Sequence, residues 1–179
     1  MGNVLNERLL PDMLLRPVRG ILQISFLLIM TALLSSGCDG GGGGDSDGGS
    51  ELTSTLGDND SHRAGQDCQR CHRSGGSGDG VFTIAGTVFD GDNPSVVKPN
   101  VIVRLFALPD QSSALIEEIE VDAKGNFYTT APIPYGAGLF AVLVDGPVSS
   151  PFMMAPVTAS EGACNSCHDG NAVPVLFIN

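Results

Sequence analysis

The sequence is poor in cations, in histidine and in aromatic residues. Nine lysines and arginines stand against twenty aspartates and glutamates, so the 179 residues carry a formal net charge of −11. A chain with so few cations lacks the basic surface that holds phosphate backbones, and we expect no nucleic-acid partner. Tryptophan is absent, histidine occurs three times, and aromatic residues make up 6% of the chain. A domain of this composition has little aromatic surface with which to fill a core.

Long apolar runs are also absent. The longest, Ile21–Leu34, has fourteen residues, fewer than the roughly 18 of a membrane-spanning helix. It follows three arginines and precedes small residues, which is the pattern of an export signal. A short buried helix fits this setting less well, because a basic leader and a glycine tract enclose the run. We therefore expect residues 1–37 to be a signal peptide, with translation starting at Met1 or Met13.

Cys38 directly follows this segment. Residues 34–38 read Leu-Ser-Ser-Gly-Cys and resemble the bacterial lipoprotein signal, although the leucine lies four positions before the cysteine where the family has it three before. The resemblance implies lipidation of the Cys38 thiol, and each lipid CH₂ that enters the membrane contributes about 0.8 kcal/mol. It implies an exported protein anchored in the envelope of a Gram-negative bacterium, at the outer membrane or cell surface or on a periplasmic face.

Residues 38–61 are rich in glycine and aspartate, with five consecutive glycines at 40–44. Such a segment buries too little apolar surface to offset its ordering entropy, so we expect a flexible tether. The glycines lack the preceding strand and the following Lys-Ser/Thr of a phosphate-binding loop. The aspartates lack the twelve-residue spacing of a calcium loop.

Two short segments have the form C-x-x-C-H. They are Cys68–His72 and Cys164–His168, and this spacing is the attachment signature of c-type heme. Two thiols three positions apart can form thioethers with the two vinyl groups of one porphyrin, and the histidine that follows can supply an axial imidazole. The sequence thus predicts two hemes c per chain, bound through Cys68, Cys71, Cys164 and Cys167, with His72 and His168 as proximal iron ligands.

Other uses of paired cysteines fit less well. A zinc ribbon separates its pairs by about 15–20 residues, whereas 92 residues lie between these pairs. A thioredoxin-like site needs a βαβ context that the sequence does not offer. Two structural disulfides, Cys68–Cys71 and Cys164–Cys167, remain an alternative for an exported protein.

With these residues, and with the segment Ser61–Cys68 that leads into the first motif, the sequence resembles the multiheme c-type cytochromes of bacterial envelopes. The resemblance covers about a dozen residues at the first motif and seven at the second. It implies covalent heme attachment during export, electron transfer rather than an enzymatic activity, and redox partners that are themselves multiheme cytochromes.

Axial ligation is incomplete in the sequence. Two six-coordinate irons need four ligands, and His62 is the one histidine outside the motifs. If His62 is a distal ligand, the other iron takes Met153 or Met154, a ligand from a neighbouring chain through self-association, or none. The alternatives are a solvated His62 and methionines that pack in a strand.

Residues 81–158 predict antiparallel β-structure, because short runs of β-branched and aromatic residues alternate with turn sequences. The predicted strands are 81–89, 101–108, 114–121, 126–130 and 138–144, with a further strand within 173–179. On the second of them, Val101, Val103 and Leu105 share one face and Arg104 the other. We expect a mainly β fold, flanked by heme segments at 62–80 and 159–179.

Three parts of this region carry a second resemblance: 85–89, 101–105 and 121–127. Their G-x-V strand, alternating valines and D-x-x-G-x-F turn resemble the carboxypeptidase regulatory-like or transthyretin-like domain. The resemblance implies an Ig-like antiparallel β-sandwich that serves as a scaffold. Two other functions remain open, namely a heme enzyme or ligand sensor with one five-coordinate heme, and a heme-free surface lipoprotein that works through its β-sandwich.

Overall fold

The computed structural model describes residues 50–171 and 173–179. The predicted signal peptide, the lipidation site Cys38 and the first part of the tether lie outside these described residues. The described chain is mainly β, as the sequence predicted, with two sheets and very little helix. Its elements are β1 (Ile84–Asp90), β2 (Ile102–Phe106), β3 (Leu115–Glu120), β4 (Asn126–Thr129), β5 (Phe140–Asp145), β6 (Val148–Ser149), α1 (Cys164–Cys167) and β7 (Leu176–Ile178), with a 3₁₀ turn at Cys68–Arg70.

The strand order is β4-β1-β7 in one sheet and β3-β2-β5-β6 in the other. Each of the five strands predicted for residues 81–158 is present, and β7 lies in the predicted C-terminal segment. Only the two-residue β6 was not predicted. One pairing differs from the expected antiparallel arrangement, because β7 lies parallel to β1, with Val88 opposite Leu176. A parallel pair needs a long crossover connection, and here most of the domain lies between the two strands.

Strand β2 shows the alternation that the sequence predicted. Val103 and Leu105 are buried, whereas Arg104 points outward, and its Nε lies 2.7 Å from Oε2 of Glu118 on β3. Successive side chains of a strand point to opposite faces, so one face of β2 supplies the core and the other faces solvent.

One apolar core joins the two sheets. Ile84 and Val88 on β1 and Phe127 on β4 belong to the same buried cluster as Leu105 on β2 and Leu143 on β5. Two sheets that bury a common face are compatible with a β-sandwich. No helix in the described part of the chain has the length and apolar character needed to cross a membrane.

The part of the expected tether at residues 50–61 is held against this fold. The Thr130 N–H donates to the Leu52 carbonyl at 2.8 Å, and the Ser54 N–H donates to the Tyr128 carbonyl at 3.0 Å. Ser54 is only 1% exposed, and its hydroxyl donates to the Glu120 carbonyl. Strand β4 is at an edge of its sheet, where unpaired backbone groups can accept another segment. This differs from the flexible tether that the sequence predicted through Ser61.

Candidate functional site

The first C-x-x-C-H motif forms a single tight turn. The side chain of Asp67 caps it by accepting from the Gln69 N–H at 3.0 Å. The carbonyl of Cys68 accepts from the N–H of Cys71 at 3.2 Å and from that of His72 at 3.0 Å. Because the turn closes on the first cysteine, both thiols and the histidine originate from one short loop.

The second motif has the same closure in helix α1. The N–H of His168 donates to the Cys164 carbonyl at 2.9 Å, and the Ser166 hydroxyl donates to the Ala163 carbonyl at 2.7 Å. In both motifs, therefore, the N–H of the histidine donates to the carbonyl of the first cysteine. The two sequences differ, and most of the β-domain lies between them.

The two motif histidines are oriented in the same way. Nδ1 of His72 lies 2.8 Å from the carbonyl oxygen of Asp79, and Nδ1 of His168 lies 2.7 Å from that of Pro174. A carbonyl only accepts hydrogen bonds, so Nδ1 is the donor in both rings, and in the neutral imidazole this leaves the lone pair on Nε2. An imidazole fixed through Nδ1 in this way is prepared to bind a metal through Nε2.

The ring of His72 lies between an aromatic side chain and a glycine loop. It stacks on Phe82 with centroids 4.0 Å apart and planes at 4°, and Phe82 in turn stacks on Tyr128 at 4.7 Å. A Cβ added at Gly78 would lie 2.7 Å from Nδ1 of His72. The glycine at 78 therefore lets the loop reach the ring and bring the Asp79 carbonyl to it.

His62, the predicted distal ligand, lies beside His72. Their ring centroids are 5.9 Å apart, with planes at 41°. Metal–nitrogen bonds are about 2.0–2.1 Å long, so two imidazoles on opposite sides of one ion have centroids roughly 6 Å apart. Burial, followed by the charges of His72, Arg63 and Lys124, lowers the pKa of His62. A lowered pKa favours the neutral imidazole, the form that binds metals.

A polar network holds the His62 segment on the first sheet. The buried Asn126 donates from Nδ2 to the Ser61 hydroxyl at 2.8 Å, and its Oδ1 accepts from the Thr87 hydroxyl at 2.7 Å. Thr87 accepts from the Gly65 N–H, and Lys124 Nζ donates to the Ser61 carbonyl. His62 is thus fixed from both sides by side chains of β1, β4 and the turn before β4.

Both motifs contact the start of β1. Gln69 donates from Nε2 to the Phe82 carbonyl at 2.8 Å, and the Ala85 N–H donates to the Gly162 carbonyl at 2.8 Å. A Cβ added at Gly162 would lie 3.1 Å from Nε2 of Gln69. The segments that carry the two motifs therefore meet, although they lie at opposite ends of the domain sequence.

The thiols differ from those of a redox-active pair. Burial, and then the charge of Asp67, raises the pKa of Cys68 to about 11. Burial, and then the charges of Cys68 and Cys167, raises the pKa of Cys164 to about 12. Redox C-x-x-C sites have lowered thiol pKa values, so these cysteines do not favour thiolate chemistry.

Cys68, Cys164 and Cys167 are free thiols, and Cys71 is disulfide-bonded. The alternative of one disulfide within each motif is therefore wrong for this structure. A thioether at Cys71 requires its disulfide to be reduced first. Residues 50–171 and 173–179 contain no cluster of three or more His, Cys, Asp or Glu that could hold a metal ion.

An apolar cavity of about 250 Å³ lies beside the second motif and is lined by both Cys164 and His168. Its other walls are mainly aliphatic and aromatic side chains, among them Phe127, Leu143 and Leu176. Cavities of this character take apolar ligands that a few polar groups orient.

The two candidate methionines differ in their position relative to this cavity. Met153 lines it and packs against the core, whereas Met154 is 95% exposed. The structure thus places one of the two on the wall of the cavity that His168 also lines, and the other in solvent.

The sequence did not indicate several parts of these sites. The acceptors of the two Nδ1 protons are backbone carbonyls, which carry no residue-type signal. Phe82 was predicted only as part of a strand, and Asn126 only as the first residue of a strand and as part of a turn motif.

The residue types at both motifs fit heme c, with two cysteines, an imidazole held through Nδ1, and apolar or aromatic surface beside it. The first motif offers both thiols only when the disulfide of Cys71 is open. Comparisons with protein-family models, with curated proteins and with solved structures gave no match.

Proposed function

We propose that the chain is a diheme c-type cytochrome that transfers electrons in the bacterial cell envelope. The observation that carries the proposal is the repeated geometry of the two motifs. In each, the histidine N–H closes on the first cysteine, and Nδ1 lies on a backbone carbonyl. A structural role for the cysteines alone would not require two histidines to be oriented alike.

The residues of the chain have separable roles in this function. A dithiol reductant would first supply the two electrons that open the disulfide of Cys71. Each cysteine thiol would then add across one vinyl double bond of heme, sulfur to one carbon and hydrogen to the other, with no further change of oxidation state. His72 and His168 supply the proximal nitrogens, and their Nδ1 hydrogen bonds orient the rings. When bound, heme iron supplies a reversible one-electron change, so each electron taken from a donor protein passes to an acceptor protein.

His62 is the distal ligand of the first site in this proposal. Its ring centroid lies 5.9 Å from that of His72, and the Asn126 network holds its backbone. Replacing His62 by Ala should open the first iron to carbon monoxide without loss of heme. A change in oligomer size on the same replacement would instead indicate that His62 ligates iron in a neighbouring chain.

The proximity of the two motifs supports a relay. Gln69 of the first motif and Gly162 before the second both contact the segment Phe82–Ala85. A short path between the two hemes favours electron exchange within one chain. Lipidation at Cys38 would hold this relay at a membrane, where other multiheme cytochromes are the expected partners.

The mass of the mature protein tests the proposal. We would express the full chain with a cytochrome c maturation system and measure its intact mass and visible spectrum. Two added hemes are expected, one being lost in Cys68→Ser/Cys71→Ser and the other in Cys164→Ser/Cys167→Ser. A wild-type protein without heme in a host that matures a control cytochrome would overturn the proposal.

One observation favours a heme-free protein that works through its β-sandwich as the second candidate. Cys71 is disulfide-bonded in the structure, and a protein that keeps this bond cannot form both thioethers at the first motif. A colourless protein with an intact disulfide and three titratable thiols in residues 50–179 would support this candidate.

A further inference from the structure

The last axial position has no histidine left to fill it. His72 and His168 belong to the motifs, and His62 lies beside His72. The apolar cavity beside His168 contains a different donor, the thioether of Met153. Thioether sulfur is a soft ligand that binds heme iron opposite histidine in electron-transfer proteins.

Resting on the proposed function, we propose that Met153 is the distal iron ligand of the second heme, so that the two hemes of this chain differ in reduction potential. The first site is then ligated by two imidazoles and the second by imidazole and thioether.

Backbone hydrogen bonds hold the segment that carries the two methionines beside β5. The Ser150 N–H donates to the Leu143 carbonyl at 2.8 Å, and the Met153 N–H donates to the Ala141 carbonyl at 3.2 Å. The cavity wall includes the consecutive residues 150–153 of this segment. Met153 also packs against the core, whereas the side chain of Met154 is 95% exposed.

The walls of the cavity are consistent with this role. Besides Cys164, His168 and Met153, its lining is largely apolar and includes Val103, Phe127 and Val175. An apolar shell disfavours additional charge on the oxidised iron, and a methionine ligand raises the potential relative to histidine. Both effects act in the same direction at the second site, so electrons that enter at the first site should move to the second.

The two adjacent methionines provide a matched pair for the test. Met153→Leu keeps the apolar volume and removes the sulfur, whereas Met154→Leu makes the same change at an exposed position. Both variants and the wild type would be matured with heme, and two hemes per chain would be verified by mass before any comparison. Carbon monoxide binding to the reduced protein, the sulfur-to-iron charge-transfer band of the oxidised protein and a redox titration would then be measured.

In the wild type and in Met154→Leu, we expect the charge-transfer band, no carbon monoxide binding and two resolved reduction steps. In Met153→Leu, the band should disappear, one of the two hemes should bind carbon monoxide, and the higher-potential step should shift. Met153→His should restore six-coordination without restoring the band, and should lower that potential.

The failures of the two proposals are distinguishable. A wild-type mass without two hemes overturns the diheme function itself. Two hemes with no charge-transfer band in the wild type, or with Met153→Leu and Met154→Leu behaving alike, overturns only the assignment of Met153. If Met153→Leu matures poorly, a wild-type charge-transfer band that Met154→Leu retains still supports Met153, and loss of the band in Met154→Leu overturns the assignment.

Discussion

The two candidate heme sites share a local geometry and differ in their surroundings. Each motif forms one turn, and each histidine donates from Nδ1 to a carbonyl. Around His72 lie a second imidazole, a stacked phenyl ring and a polar network. Around His168 lies an apolar cavity with a thioether on its wall. Under the proposed function, the motif would determine heme attachment and the proximal ligand, whereas the surrounding sheets would determine the distal ligand.

A Phe127→Ala variant tests whether the second site is part of the shared core. Its side chain is fully buried and lines the cavity, so Phe127→Ala should lower the free energy of unfolding by about 3–5 kcal/mol. Chemical denaturation measures this loss. The spectrum of the second heme should change more than that of the first.

Val148→Ala serves as the control for that experiment, since Val148 is exposed on the short strand β6. Equal stability of the Phe127 and Val148 variants would contradict the assignment of Phe127 to the shared core.

Asn126 tests the first site. Asn126→Ala removes the amide that joins Ser61 to Thr87 and leaves buried polar groups unpaired, which costs about 1–3 kcal/mol. The His62 segment should loosen, and the first heme alone should gain carbon monoxide binding. Asn171→Ala is the control, because Asn171 is exposed and bonds only to Asp169. A change confined to the second heme would break the proposed link between Asn126 and His62.

Phe82 provides a further test of the difference between the two sites, because the histidine on which it stacks, His72, belongs to the first site. Phe82→Leu removes the ring that lies 4.0 Å from His72, and the aromatic contact contributes about 0.5–1.5 kcal/mol beyond its buried area. The midpoint of thermal unfolding should fall modestly, and the visible spectrum of the first heme should shift. An identical shift at both hemes would argue against separate environments.

Glu118 should affect neither site. Its ion pair with Arg104 is exposed, and such pairs contribute about 0–1 kcal/mol. Glu118→Gln should therefore leave both hemes unchanged and alter stability little, and this small effect should diminish further with added salt. A spectral change in this variant would show that the sheets transmit distant substitutions to the hemes.

The sequence was sufficient to locate most strands, because alternation and turn residues are local signals. The parallel pairing of β7 with β1 could not be read in this way, since strand direction depends on the path of the whole chain. Leu52–Ser54 were assigned to the tether because their neighbours are polar. The free edge of β4 that accepts them is a property of the folded sheet.

At the candidate sites, too, the sequence predicted some features, and others depend on the folded chain. The spacing of cysteine and histidine predicted the motif residues, but the choice between Met153 and Met154 depends on which of them lines the cavity in the folded chain. The position of His62 beside His72 depends on Asn126 and Thr87, which are distant in sequence. The sequence offered a disulfide at Cys71 only as an alternative, with Cys68 as its partner, whereas Cys71 is disulfide-bonded and Cys68 is a free thiol.

The burial of Cys164 has a consequence for biogenesis. Its side chain lies against β1, where a Cβ added at Gly86 would be 2.9 Å from the Cys164 Cβ. Once β1 and α1 have packed, an attachment enzyme cannot reach this thiol. In a protein that carries heme there, the covalent bonds must form on the extended chain as it emerges from export. The β-domain can close only afterwards, so the order of assembly is determined by one glycine and one buried sulfur.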